Sequence, residues 1–146
     1  IFTKANNDTY GNIINTQIDH FVKKNPKISY CFNSLGQLNY LSVLKYVDGI
    51  VGNSSSGLLE APSFKIATVN IGDRQLDRLQ ASSIINCPPL KSKIITSIKK
   101  IYSKNFKKRL SRNINPYGKS GAVTKTYNII KKLKLKNIIK KKFFDL

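Results

Sequence analysis

The chain has 146 residues, 40% of them hydrophobic, and carries a formal net charge of +19. This length allows one domain that buries roughly two-thirds of its unfolded surface, and no apolar run approaches the ~20 residues that span a bilayer. The composition therefore predicts a folded domain with its own core and excludes a membrane-spanning protein, and we expect no membrane partner.

Hydrophobic periodicity predicts helices and strands that alternate along the chain. The apolar face of the second helix is expected to consist of Leu38, Leu41, Leu44 and Val47. Helices are predicted at 8–23, 37–47, 55–61, 91–102, 105–110 and 118–132, and strands at 27–32, 48–52, 66–70 and 83–85. Such alternation is typical of an α/β fold, a Rossmann-like parallel sheet with helices on both faces.

The opening residues and the composition also predict a fragment. The chain contains no methionine, and Ile1-Phe-Thr3 resembles the end of a strand already inside a domain. We therefore expect an α/β domain that is incomplete at its N-terminus.

The most informative segment is Gly52-Asn-Ser-Ser-Ser-Gly-Leu-Leu-Glu-Ala-Pro62. It places Ser54, Ser55 and Ser56 between the end of a strand and the start of a helix, where free backbone N–H groups attract phosphate. Glu60 follows on that helix, and its carboxylate is suited to accept hydrogen bonds from the paired hydroxyls of a ribose. The segment therefore predicts a nucleotide site.

A second loop is expected to lie beside the first. Gly72-Asp-Arg74 leaves the next predicted strand, so Arg74 is expected at the same sheet edge as the serines. Ligands of doubly wound sheets bind outside the carboxyl ends of the strands. The alternative, that the serines are an ordinary loop and Glu60 a solvated helix residue, is weakened by this combination.

These segments, together with Asn115-Pro-Tyr-Gly118, resemble the hydrolysing UDP-N-acetylglucosamine 2-epimerases, in particular the branch that supplies sialic-acid-like sugars. A weaker match is Asn6-Asn-Asp8 with Gly11. The likeness runs roughly from Thr3 to Lys132, in the same order. It implies a two-lobed fold of the GT-B type, with this chain as the C-terminal lobe and the UDP-sugar between the lobes.

The resemblance also implies roles for single residues. Ser54 and Ser55 would bind the diphosphate, Glu60 the ribose, and Arg74 the UDP moiety. Asn6 would face the nucleotide, and the backbone of Leu35 would read the uracil edge. The chain departs from the family pattern at Lys4-Ala5, where an aromatic residue and a proline are usual, and at Asp77, where glycine is common.

The resemblance implies a reaction that needs no metal or redox cofactor. The full-length parent would convert UDP-N-acetylglucosamine into N-acetylmannosamine and UDP, and it would form a homodimer. We assign no catalytic residue within this chain, because its seven acidic residues form no pair suited to acid/base work. Residues 1–115 are predicted to be the UDP-binding domain and 116–146 a crossover helix and basic tail, and the fragment alone is expected to be inactive.

Two other functions remain open. One is the donor-nucleotide domain of a glycosyltransferase with the same two-lobed plan. The other is a basic protein that binds polyanions, but residues 1–90 carry eight basic and six acidic side chains, whereas 91–146 carry eighteen and one. The excess charge therefore lies outside the ligand loops. Because only four of the 26 basic residues are arginines, we expect no specific nucleic-acid partner.

The remaining special residues favour structural roles. His20 lies beside Phe21 on the first predicted helix, where a structural role is more common than a catalytic one. Cys31 and Cys87 lack the spacing of a metal site, and we expect both to be reduced, buried thiols of a cytoplasmic protein.

Overall fold

A computed structural model of the chain describes residues 1–6, 9–118 and 120–134. The predicted alternation of helices and strands is confirmed in this part of the chain. The strands are β1 (Phe2–Thr3), β2 (Cys31–Phe32), β3 (Gly49–Gly52), β4 (Ala67–Ile71) and β5 (Ile84–Cys87). The helices are α1 (Gly11–Lys24), α2 (Gly36–Val43), α3 (Ser56–Leu59), α4 (Lys91–Ile101), α5 (Lys104–Ser111) and α6 (Ala122–Lys132), with a 3₁₀ turn at Ala61–Phe64.

All strand pairs are parallel, as the α/β prediction requires. The strands β3, β4 and β5 form one sheet in that order, with Val51 opposite Val69 and Val69 opposite Ile85. The strands β1 and β2 form a separate two-stranded sheet, with Phe2 opposite Cys31. The fold is therefore α/β with parallel sheets, but the described strands form two sheets rather than one.

Helices cover both faces of β4, which is the most buried strand. Its residues Ala67 and Val69 pack with Ile101 and Phe106 of α4 and α5. The side chain of Thr68 faces the opposite side, where its hydroxyl donates to the carbonyl of Gly57 in α3 at 2.9 Å. Alternate residues of the strand thus contact different helix layers, which explains why the run from 66 to 69 is apolar or small throughout.

Two predictions about the second strand and helix are wrong in detail. The strand predicted at 27–32 is limited to β2, because the amides of Ile28 and Ser29 bond to the carbonyl of Asn25 and form a turn. The predicted helix at 37–47 ends at Val43, and Leu38 is 80% exposed. Tyr40 packs on the core cluster of Leu44, Ala61 and Ile66. Leu38 lies about 200° around the helix axis from Tyr40 and is therefore on the opposite side of the helix.

A cleft of about 690 Å³ lies between the two sheets. Residues of both β1 and β3 line it, and β1 pairs with β2 while β3 pairs with β4. The second edge of each strand therefore has no strand partner among the described residues. Apolar side chains form much of the lining of the cleft, namely Phe2, Ile14, Ile18, Leu44, Val47 and Ile50.

The final helix contacts little of the domain. Every residue of α6 is exposed, including Val123, Tyr127 and Ile130 on one stripe. The predicted basic tail after residue 134 lies outside the described residues. No helix in the described ranges is both long and apolar enough to cross a membrane.

Candidate functional site

The three serines lie close to where the sequence predicted: Ser54 and Ser55 lie between the end of β3 and the start of α3, and Ser56 is the first residue of α3. Ser55 is the residue before the helix, and Ser54 is exposed in the loop. The backbone N–H groups of Ser54 and Ser55 donate no hydrogen bond within the described part of the chain. Because α3 has only four residues, the donors that this loop offers are free N–H groups and hydroxyls rather than a helix dipole.

Ser56 and Glu60 form a hydrogen-bonded pair across the single turn of α3. The Ser56 hydroxyl donates to Oε2 of Glu60 at 2.5 Å, and it also forms a short hydrogen bond with the hydroxyl of Tyr40 in α2. The Ser56 hydroxyl is therefore engaged within the protein and is unavailable to phosphate.

Burial raises the pKa of Tyr40 above its ordinary value. The hydrogen bond with Ser56 acts in the opposite direction, and the negative charge of Glu60 adds to the increase. Tyr40 thus keeps its proton at neutral pH and remains a donor.

The loop after β4 is tied directly to the serine loop. Gln75 is only 2% exposed, and its Nε2 donates to the carbonyl of Asn53 at 2.8 Å. Arg74, the residue before it, is exposed and lines the 690 Å³ cleft. The loops that follow two neighbouring parallel strands therefore meet at one edge of the sheet, as predicted.

The departure from the family pattern at Asp77 has a structural explanation. Asp77 has a φ of 61°, in the left-handed region that glycine occupies without strain and that aspartate tolerates better than most residues. The chain turns here after the Arg74 loop, and a glycine at this position would adopt the same backbone conformation without strain.

The segment that carries Asn6 is anchored on α1. The side chain of Asn15 bonds both backbone groups of Ala5, at 2.8 Å and 3.2 Å. Gly11 allows the close approach, because a β-carbon there would lie 2.2 Å from the carbonyl oxygen of Asn6. Asn7 and Asp8 of the weaker motif lie outside the described residues.

The structure brings together four of the six predicted nucleotide-binding residues. Asn6, Leu35, Ser54 and Arg74 all line the cleft between the sheets. Ser55 and Glu60 are not among the lining residues, and Glu60 is connected to the cleft through Ser56 and Tyr40, which does line it.

Two asparagines bond the segment that includes the end of α3 and the 3₁₀ turn, and the sequence analysis did not predict these contacts. Asn115 donates to the carbonyl of Leu59 at 2.9 Å and to the hydroxyl of Ser63 at 2.7 Å. Asn113 bonds the carbonyl of Pro62 and the amide of Ser83. The sequence analysis included Asn115 in a motif, but no signal in the sequence indicates that Asn113 or Asn115 bonds these four groups, because they lie at least 30 residues away in sequence.

Other candidate residues do not form a site. His20 is exposed on α1, Cys87 is buried, and Cys31 is only half-buried, which differs from the prediction. Within residues 1–6, 9–118 and 120–134, no three His, Cys, Asp or Glu side chains are grouped so as to hold a metal ion.

A sequence profile of the family described as UDP-N-acetylglucosamine 2-epimerase matches residues 1–131. The chain belongs to the UDP-N-acetylglucosamine 2-epimerase family. The predicted family resemblance is thereby confirmed, and the match favours an epimerase over the glycosyltransferase alternative.

Individual members of the family are similar over the whole chain. Polysialic acid biosynthesis protein P7 of Escherichia coli is 40% identical over 147 residues, which cover 100% of this chain and 37% of the relative. The GDP/UDP-N,N'-diacetylbacillosamine 2-epimerase (hydrolyzing) of Campylobacter jejuni is also 40% identical, and 38% of it is covered. A Legionella pneumophila UDP-N,N'-diacetylbacillosamine 2-epimerase (hydrolyzing) is 29% identical over 135 residues. The chain thus spans little more than a third of the length of these curated relatives.

Proposed function

We propose that this chain is the UDP-binding part of a hydrolysing 2-epimerase that acts on a UDP-linked 2-acetamido sugar. The observation that carries the proposal is the junction of the serine loop with the Arg74 loop, fixed by the bond from Gln75 to Asn53. It offers free N–H groups, a cation and, through Glu60, a carboxylate at the carboxyl ends of adjacent parallel strands. Family membership and the names of the relatives support the choice of UDP and of an amino sugar.

In the proposed reaction, UDP leaves across C1 and C2 of UDP-N-acetylglucosamine or a further acetylated relative. Water then adds to the resulting glycal and gives the 2-epimeric free sugar. Ser54, Ser55 and Arg74 bind the departing diphosphate and stabilise its charge, an electrostatic and positional contribution. We assign the proton transfers to residues outside this chain, and we expect the parent protein to be a homodimer.

The lining of the cleft suits two kinds of occupant. Asn6, Ser54 and Arg74 supply polar groups that suit the nucleotide. Apolar side chains of β1 and β3 also line the cleft, and each of these strands has an edge without a strand partner among the described residues. We propose that another segment of a longer polypeptide adds a parallel strand there, since an apolar surface between two strand edges favours a strand.

Replacing Glu60 with glutamine is expected to weaken UDP binding about tenfold or more, because a hydrogen bond to a charged group contributes about 1.5–3 kcal/mol. Calorimetric titration of the chain with UDP at moderate salt measures the change. The matched control is Asp48→Asn, which removes the same charge just before β3, whereas the site follows β3. Equal affinities of the two variants would overturn the assignment of Glu60.

Arg74→Ala provides a second arm of the same titration, with Arg112→Ala, at the end of α5, as its control. A selective loss in Arg74→Ala supports the diphosphate assignment. Salt-sensitive binding of RNA that is unchanged by Glu60→Gln, without saturable UDP binding, would instead favour the basic-protein alternative.

A further inference from the structure

We propose that Tyr40 is a positioning residue for Glu60 that acts through Ser56, so that one carboxylate oxygen is held by the protein and the other faces the ribose. The inference rests on the proposed nucleotide site and adds to it a residue from a different helix. It is carried by the continuous chain of hydrogen bonds from Tyr40 to Ser56 and from Ser56 to Glu60.

The number of available protons determines which group donates and which accepts in each of these hydrogen bonds. An ionised carboxylate only accepts, so the hydroxyl of Ser56 donates its single proton to Oε2 of Glu60. The proton shared between Tyr40 and Ser56 therefore belongs to Tyr40. Burial and the charge of Glu60 both raise the pKa of Tyr40, so this phenol stays protonated and keeps its role as donor.

The hydrogen bonds from Tyr40 to Ser56 and from Ser56 to Glu60 determine which oxygen of Glu60 is available to a ligand. Oε2 is occupied by Ser56, whereas Oε1 accepts no hydrogen bond within the described part of the chain. Rotation of the carboxylate would break the bond to Ser56, so Oε1 is held in one orientation. A pre-oriented acceptor avoids the entropy that binding otherwise loses.

Tyr40 also connects two parts of the proposed nucleotide site. It lies on α2, whose first residue follows Leu35, and both Tyr40 and Leu35 line the cleft. Leu35, whose backbone is proposed to contact uracil, is thus about one and a half helical turns from Tyr40, which is proposed to orient the carboxylate of Glu60. A short rigid helix therefore couples the base position to the ribose position.

A purely structural role for Tyr40 is the competing explanation, because its ring packs on the cluster of Leu44, Ala61 and Ile66. Tyr40→Phe separates the two roles, since it keeps the ring and removes only the hydroxyl. Tyr46→Phe is the matched control, because Tyr46 is 87% exposed beyond the end of the same helix.

The first measurement is the affinity of the chain for UDP and for 2',3'-dideoxy-UDP. Tyr40→Phe is expected to weaken UDP binding about fivefold and to leave the affinity for the dideoxy analogue unchanged, because that analogue has no ribose diol. In a Glu60→Gln background, Tyr40→Phe is expected to have little further effect. Equal losses for both nucleotides would show a structural role and overturn the proposal.

A second measurement does not depend on nucleotide binding. Glu60 is the only glutamate among the 146 residues, so labelling with ¹³C-glutamate gives a single side-chain carboxyl resonance. We expect Tyr40→Phe and Ser56→Ala to shift this resonance, and Tyr46→Phe to leave it in place. An unmoved resonance in Tyr40→Phe overturns the inference, whereas absence of UDP binding by the wild-type chain with a shifted resonance overturns only the proposed function.

Discussion

Replacement of Asn113 by alanine is expected to lower the free energy of unfolding by about 3 kcal/mol. The side chain is 7% exposed, and its oxygen accepts from the hydroxyl of Ser82 at 2.9 Å and from the amide of Ser83 at 3.0 Å. Its nitrogen donates to the carbonyl of Pro62 at 3.0 Å. Alanine would leave the buried amide of Ser83 without a partner, which costs about 1–3 kcal/mol. It would also remove one of the two hydrogen bonds to the Pro62 carbonyl, which still accepts from the amide of Lys65 at 3.2 Å.

Urea denaturation of the chain measures this change. The control is Asn39→Ala, since Asn39 is exposed on α2 and its side chain makes no hydrogen bond with the described residues. We expect that variant to differ from wild type by less than about 0.5 kcal/mol. A loss below about 1 kcal/mol in Asn113→Ala would mean that water replaces the amide at this position.

Gly57→Ala is expected to destabilise the domain by about 2 kcal/mol, within the range found for overpacked cores. A β-carbon at position 57 would lie 2.6 Å from Cγ2 of Thr68. Relief of this clash requires α3 to move away from β4, which also strains the bond from Thr68 to the Gly57 carbonyl. Thermal unfolding of the variant measures the effect.

Thr68→Ser provides the test of this explanation. The substitution removes the methyl group that clashes and retains the hydroxyl that bonds the Gly57 carbonyl. Gly57→Ala is therefore expected to cost much less in the Thr68→Ser background than in the wild-type background. Additive losses would contradict a steric origin and would indicate that the backbone conformation of α3 requires glycine.

The parts of the fold that the sequence predicts well are those whose signals are local. The apolar run before Gly52, the serines after it and the apolar run from 66 to 70 predict β3, α3 and β4 within one or two residues. The strand expected at 27–32 is wrong because two local signals compete there. Tyr30 and Ile28 are β-formers, but a turn that begins at Asn25 determines the backbone before Tyr30.

The contacts that orient the candidate site are not local, and periodicity cannot reveal them. Tyr40 is 16 residues from Ser56 and Asn113 is 51 residues from Pro62. The residue type at 40 indicates only a partly buried aromatic ring, and an asparagine indicates only a turn or a cap. Which backbone group each polar atom bonds depends on the packing of helices that are distant in sequence.

The bond from Gln75 to Asn53 joins the serine loop to the Arg74 loop. Because the buried amide of Gln75 supports the backbone just before Ser54, a displacement of either loop is transmitted to the other. Transplanting the serine loop into another parallel sheet would therefore require the Arg74 loop as well, together with the neighbouring strand that presents it. In engineering terms the exchangeable module is the pair of loops, because either loop transferred alone would lack the hydrogen bond between Gln75 and Asn53.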